Sequence, residues 1–263
     1  MKKQQKHFVL VHGSCHGAWS WFKIIPLLEK SGHRVTAIEL AASGINMKSI
    51  DELSTFHDYA APLLEFLEGL APEEKVVLVG HSSGGISLAL ASESFPQKIE
   101  VAVYVAAFMP DTVHEPSYVL TQHASLLEEL EEGWLDTEFI CNGDPTESPT
   151  IFMFGPKAMA LQLYQQSPPE DLLLAELLKR PSSLFFSHLS KADKLSETRY
   201  GSVRRVYVTC TQDRIIPVTF QHWMIENGGA AEVKELHGAD HMPMFSMPQQ
   251  LCDVLVSIAS TYA

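Results

Sequence analysis

The sequence predicts an α/β fold built on one mostly parallel sheet. Three observations predict it. Short apolar runs such as Val76-Val77-Leu78-Val79 are continuous and β-branched, as strands buried on both faces are. They alternate with amphipathic stretches long enough to be helices, which places helices on both sides of the sheet. The chain has 263 residues, 46% of them hydrophobic, which suits one large domain with room for an inserted subdomain.

The elements follow in order. A strand is expected over 7–11, a helix over 19–30 and a second strand over 35–40. A helix over 55–70 presents Phe56, Tyr59, Leu63, Leu64 and Leu67 on one face. A strand over 76–79, a helix over 85–94 and a strand over 101–106 continue the alternation. Then the pattern changes. From 110 to 197 strands are hard to find, and leucine-rich helical pieces over 124–130, 158–165 and 172–178 are broken by prolines and polar turns. Residues 110–197 are read as an inserted, largely helical cap. The core is read as 1–109 with 198–263, where strands over 206–209 and 231–236 and helices over 218–226 and 248–262 complete the pattern.

Composition excludes several classes. The formal net charge is −13, and so negative a surface repels phosphate backbones and anionic lipid heads. Neither a nucleic-acid nor a membrane partner is expected. No run reaches the roughly 18 apolar residues of a membrane helix. The apolar run over 7–11 is too short for a signal-peptide core, so a cytosolic location is expected. Cys15, Cys141, Cys210 and Cys252 form no CxxC pair, which suggests neither a zinc ribbon nor a redox pair.

The chemistry concentrates at strand ends. Gly80-His81-Ser82-Ser83-Gly84 fits G-x-S-x-G, directly after a buried strand and directly before a helix. That context is the nucleophile elbow of the α/β-hydrolase fold. A serine on so sharp a turn needs glycines two residues away, because larger neighbours would clash. Ser82 is the expected nucleophile, and the Ser83 N–H an oxyanion donor. The small residues Gly84, Gly85, Ser87 and Ala89 keep the following helix close to the sheet.

A serine hydroxyl needs a base, and in this fold the chain order is serine, acid, histidine. The last histidine is His241, in the loop between the final strand and the final helix. His237, at the strand end, is expected to be structural. Asp213 follows the strand over 206–209 and is the expected acid, which holds the imidazole tautomer. Asp240 is the competitor, but adjacent loop side chains usually point apart. The first strand ends in His12-Gly13-Ser14-Cys15-His16-Gly17, and the Ser14 N–H is the natural second oxyanion donor. His12, His16 and His81 are expected as hydrogen-bonding supports, since no carboxylate or cysteine spacing suggests a metal. No metal and no cofactor is expected.

At these residues the sequence resembles the plant methylesterase and hydroxynitrile lyase family. The likeness is carried by Lys6 to Gly13, by Cys15-His16-Gly17-Ala18-Trp19-Ser20-Trp21 and by Leu40-Ala41-Ala42-Ser43-Gly44. It continues in Ala106-Ala107-Phe108-Met109-Pro110-Asp111, Tyr200-Gly201-Ser202-Val203 and Gly238-Ala239-Asp240-His241-Met242. It covers essentially the whole chain. The resemblance implies a serine esterase acting on a methyl ester of a small plant hormone or specialised metabolite, of salicylate, jasmonate, indole-acetate or alkaloid type. It also implies a homodimer. Family hydroxynitrile lyases carry Thr, Glu and Lys where this chain has Gly13, His81 and Met242, all esterase-like. Relatives that form methylketones lack the serine found here at 82. The resemblance places Phe108, Trp134, Phe152 and Leu184 around the acyl pocket, with Gly13, His16, His81 and Met242 beside the reacting group. One departure is Ser83, where leucine or phenylalanine is common. The alternatives are a lyase acting on cyanohydrins and a small-ligand receptor or carrier with little turnover.

Overall fold

The computed structural model describes residues 5–130, 133–140 and 151–262. Its first four strands are β1 (His7–Val11), β2 (Arg34–Ile38), β3 (Val76–His81) and β4 (Ile99–Val105). Three short strands follow, β5 (Glu138–Ile140), β6 (Ile151–Met153) and β7 (Ser182–Ser183), and then β8 (Arg205–Cys210) and β9 (Glu232–Leu236). Six strands pair in parallel in the order β2-β1-β3-β4-β8-β9. The sequence explains the order. β1, β3 and β8 are buried at every residue, and β1 and β3 read as nearly unbroken apolar runs. β2 and β9, at the sheet's edges, carry Arg34, Thr36, Glu232, Lys234 and Glu235.

The helices follow from local chemistry. α1 spans Ile24–Lys30, α2 spans Phe56–Glu68 and α3 spans Gly84–Ser94. The helix expected over 19–30 is in fact two pieces, a single 3₁₀ turn at Ala18–Trp21 and then α1. Pro26 gives the reason. It has no N–H and its ring clashes one turn back, and both costs are smallest in the first turn of a helix that starts at Ile24. α2 starts at a capping box: Thr55 Oγ1 accepts from the Asp58 N–H at 3.1 Å, and Asp58 Oδ2 accepts from the Thr55 N–H at 2.9 Å. Its expected face, Phe56, Tyr59, Leu63, Leu64 and Leu67, is buried. α3 packs so closely on the sheet that only small residues fit. A Cβ at Gly84 would lie 2.7 Å from the His12 carbonyl, and one at Gly85 would lie 2.1 Å from the Phe108 carbonyl.

Between β4 and β8 the chain makes a long excursion. It carries α4 (Tyr118–Glu129), the helix Pro169–Leu178 and a turn of π-helix, Met159–Leu163, ending at Tyr164. It also carries β5, β6 and β7, paired antiparallel as a second sheet. Most of its regular structure is helical, as expected, but the sequence reading missed these strands. Strands of two or three residues are too short to show a period of two, and β7 is a pair of serines. Residues 141–150, with Cys141, lie outside the described residues. The other three cysteines are buried free thiols.

Polar pins hold this excursion on the core. Lys23 Nζ meets Asp171 Oδ2 at 2.5 Å. The Arg180 guanidinium donates to the carbonyls of Gly44, Asn46 and Lys48, and its N–H donates to the Cys15 carbonyl at 3.1 Å. Among the described residues, no helix is long and apolar enough to cross a membrane.

Candidate active site

In a parallel sheet the chain leaves every strand at the same edge. The turns after β1, β3, β4, β8 and β9 therefore converge, and they carry the residues singled out by sequence. Ser82 follows β3 and has φ 54°, a left-handed conformation that a non-glycine residue adopts at a cost of roughly 1 kcal/mol or more. The surroundings hold it there. Ser82 O accepts from the N–H groups of Gly85 and Phe108, both at 3.0 Å. A Cβ at Gly80 would lie 2.5 Å from Leu88, and one at Gly13 would lie 2.8 Å from the Ser82 Cβ. Any side chain at 13 would thus press on the Ser82 side chain.

His241 and Asp213 meet across the loops after β9 and β8. His241 Nδ1 lies 2.8 Å from Asp213 Oδ2, with both side chains almost fully buried. A carboxylate on Nδ1 fixes the proton there and leaves Nε2 with a free lone pair, the form a base requires. The Asp213 carboxylate is itself fully occupied. Oδ1 accepts from the Ile215 and Ile216 N–H groups at 3.0 and 2.9 Å, and Oδ2 also accepts from Gln221 Nε2 at 3.3 Å. Burial pushes its pKa above the ordinary carboxylate value, against the opposing pull of His241. The competing residues lie elsewhere. Asp240, also buried, accepts from the Gln166 N–H (2.9 Å), Ser167 Oγ (2.8 Å) and the Met242 N–H (2.9 Å). His237, expected as structural, is largely exposed and pairs with Glu235.

Burial lowers the pKa of each of the three histidines expected as supports. His12 Nδ1 donates to the Gly13 carbonyl, and its Nε2 accepts from the Leu40 N–H. His16 Nδ1 donates to the Ser14 carbonyl at 2.8 Å, and its Nε2 accepts from the Tyr164 hydroxyl at 2.6 Å. Both nitrogens of His16 are therefore engaged within the protein, and burial lowers its pKa to about 4. His81 Nε2 donates to the His241 carbonyl at 2.7 Å, and the two rings lie 4.6 Å apart. Burial, and then the neighbouring His241, hold the His81 pKa well below its usual value. The supports expected from sequence thus grip backbone carbonyls around the site. Among the described residues, no group of three His, Cys, Asp or Glu side chains could hold a metal.

Two N–H groups flank Ser82 unspent. Among the described residues, neither the Ser14 nor the Ser83 N–H donates to another protein group. Buried N–H groups are nearly always paired, so two orphans beside a strained serine are available to an acceptor from outside the protein.

The apolar residues expected around the acyl group are distributed unevenly. Phe108 is buried directly against the Ser82 turn. Trp134 is half-buried and meets the ring of His123 edge-on at 5.9 Å. Phe152 packs on Phe154 and Phe139, while Leu184 is half-buried against the main core. Met242 is wholly buried. Sequence reading missed His123, whose ring lies 5.0 Å from that of Phe108 and whose Nε2 donates to the Ile215 carbonyl. Burial lowers its pKa to about 4. A histidine amid the apolar residues of α4 was the available signal. It also missed Tyr164 and Arg180, for which no local pattern exists.

A model of the alpha/beta hydrolase family matches residues 8–254. The chain belongs to that family. Its relatives include salicylic acid-binding protein 2 of Nicotiana tabacum, 55% identical over 99% of both chains. Methylesterase 1 of Arabidopsis thaliana is 52% identical, covering 99% of this chain and 98% of its own. The crystal structure of polyneuridine aldehyde esterase superposes with a TM-score of 0.93 at 49% identity, over 97% of this chain and 100% of that one. Within the alpha/beta hydrolases, this chain thus sits among the plant methylesterases, as its motifs imply.

Proposed function

We propose that this protein is a carboxylesterase that hydrolyses methyl esters of small plant metabolites by acyl transfer through Ser82. The supporting observation is the buried His241–Asp213 pair at 2.8 Å, in which a carboxylate on Nδ1 selects the tautomer that turns Nε2 into an acceptor. The two unspent N–H groups beside Ser82 support it further. Ser82 Oγ attacks the ester carbonyl while His241 Nε2 takes its proton. The oxyanion is received by the N–H groups of Ser14 and Ser83. His241 then protonates the departing methanol and leaves an acyl-enzyme. Water, losing a proton to the same histidine, attacks that acyl group, and the acid and free Ser82 are released. No step calls for a metal or cofactor.

The same reading takes residues 110–197 as a cap over a core of 1–109 and 198–263, with Phe108, Trp134, Phe152 and Leu184 around the acyl group and Met242 beside the reacting group. Gly13, His16 and His81 border the reacting carbonyl. The name of the salicylic acid-binding relative points to an acid of salicylate type, and the motif resemblance adds jasmonate, indole-acetate and alkaloid types. The reading includes a cytosolic homodimer, which sedimentation checks. A cyanohydrin lyase is disfavoured by Gly13: the threonine of the lyases would bring its Cβ to 2.8 Å from that of Ser82.

The test is methanol release from a panel of these methyl esters, with intact protein and with Ser82→Ala. Turnover in the first and a loss of at least about 10³-fold in the second supports the reading. Equal rates, or none in either, removes it.

A further inference from the structure

The two oxyanion donors come from loops that are 69 residues apart in sequence, yet one hydrogen bond joins them. Ser14 Oγ donates to Ser83 Oγ at 2.7 Å, and both residues are buried. Their backbones need such a tie. Ser14 precedes Cys15, at φ 62°, and Ser83 follows Ser82, at φ 54°. Two strained turns therefore lie side by side, joined below by the pairing of Val11 with Gly80 and packed closely at Gly13 and Gly84. The glycine between β1 and Ser14 cannot span them, because Gly13 has no side chain and no room for one. The neighbouring contacts anchor each loop separately. His16 Nδ1 holds the Ser14 carbonyl, and the Phe108 N–H holds the Ser82 carbonyl. Neither contact fixes the separation of the two N–H groups. The hydroxyl pair is the side-chain hydrogen bond that runs from one loop to the other.

We propose that the Ser14–Ser83 hydroxyl bond is a positioning brace that sets the spacing of the two N–H groups receiving the oxyanion. It deepens the esterase reading and rests on it. With the two hydroxyls bonded to each other, Ser14 and Ser83 act as positioning residues through their own backbones. The brace also gives a physical role to the polar residue at 83, which leucine or phenylalanine could not play. A developing negative charge is sensitive to donor placement in a way that the neutral ester is not, since the donors are preorganised for the tetrahedral oxygen. Loss of the brace therefore acts on kcat and spares ester binding.

The experiment uses Ser14→Ala, Ser83→Ala and the double variant, with thermal melting to confirm folding. Losing a whole oxyanion donor costs about 10² to 10³-fold in rate, so a loosened pair of donors is expected to cost about tenfold. Each single variant should lower kcat by about tenfold with KM unchanged. The double variant should lose no more than either single one, because each breaks the same bond. Affinity for a trifluoromethyl ketone analogue of the best ester, which forms an oxyanion on Ser82, should fall by the same factor. Affinity for the product acid should not. Where melting shows a destabilised single variant, the same ratio of ketone to acid affinity is read at a temperature below its transition. Losses that multiply in the double variant, or a change confined to KM, overturn the brace while leaving the esterase standing. Absence of any Ser82-dependent turnover in intact protein overturns both.

Discussion

The two sides of the site are built by different means. On the core side, the turns after β1, β3, β4, β8 and β9 are fixed by backbone clearances of 2 to 3 Å and by a chain of buried hydrogen bonds. On the other side, the excursion between β4 and β8 meets the site through aromatic rings such as His123 and Trp134 and through a few polar pins. The difference teaches where tolerance lies. Strained turns and glycine contacts admit almost no substitution, so the reacting groups are held invariantly. Ring packing admits repacking at modest cost, so the acyl group a chain accepts can change while its chemistry does not.

The largest expected effect breaks the core side alone. Asp213→Asn keeps the shape but upsets the His241 tautomer, and kcat should fall by about 10³ to 10⁴-fold with melting little changed. The contrast is Asp240→Asn. It places an amide against the donors of Gln166 and Ser167, so it should cost about 1 to 3 kcal/mol of stability and less than tenfold in kcat. Parallel urea melts and steady-state rates measure both. If the two variants behave alike, the assignment of separate tasks to these carboxylates is wrong.

Acid probes both sides at once. His16 on the core and His123 on the excursion have folded pKa values lowered to about 4, whereas an unfolded histidine titrates near 6.5. Between those values the unfolded chain binds more protons, so stability is lost as pH falls from about 6.5 toward 4. Each contributes about 3 kcal/mol to that loss. Asp213, raised by burial, acts in the opposite sense just above the ordinary carboxylate range. Melting temperatures from pH 7 to pH 4.5 should fall, and His123→Phe should flatten the slope. An unchanged slope in that variant would mean that His123 is charged in the folded protein.

The smallest effect falls on the excursion. Trp134→Ala should shift KM by about three- to tenfold, unequally across esters, with kcat nearly constant. A uniform loss of kcat would instead put Trp134 on the structural side.

How far the sequence could be read follows the same division. The Ser82 turn was legible because its requirements are local: an apolar strand, glycines at 80 and 84, and small residues after them. Asp213 and His241 were legible as loop residues after strands, but only the fold puts one against the other and turns Asp240 away. The excursion was legible as a break in the strand–helix alternation, not as a structure. Its second sheet is too short to carry a period, and contacts such as His16–Tyr164 join residues 148 positions apart. The Ser14–Ser83 bond is of that kind too. Two serines announce nothing until two loops are brought together.

Arg180 has a bearing on how such proteins can be recombined. One side chain from the excursion closes on three carbonyls of the 44–48 loop, and its own N–H holds Cys15 beside the Ser14 turn. The excursion is therefore not an interchangeable module. A chimera that grafts this segment from another hydrolase inherits the donor specificity of the graft only if it also brings an arginine to this junction. Without one, the exchange would loosen the turn after β1, and a swap meant to alter substrate choice would impair the host's own chemistry.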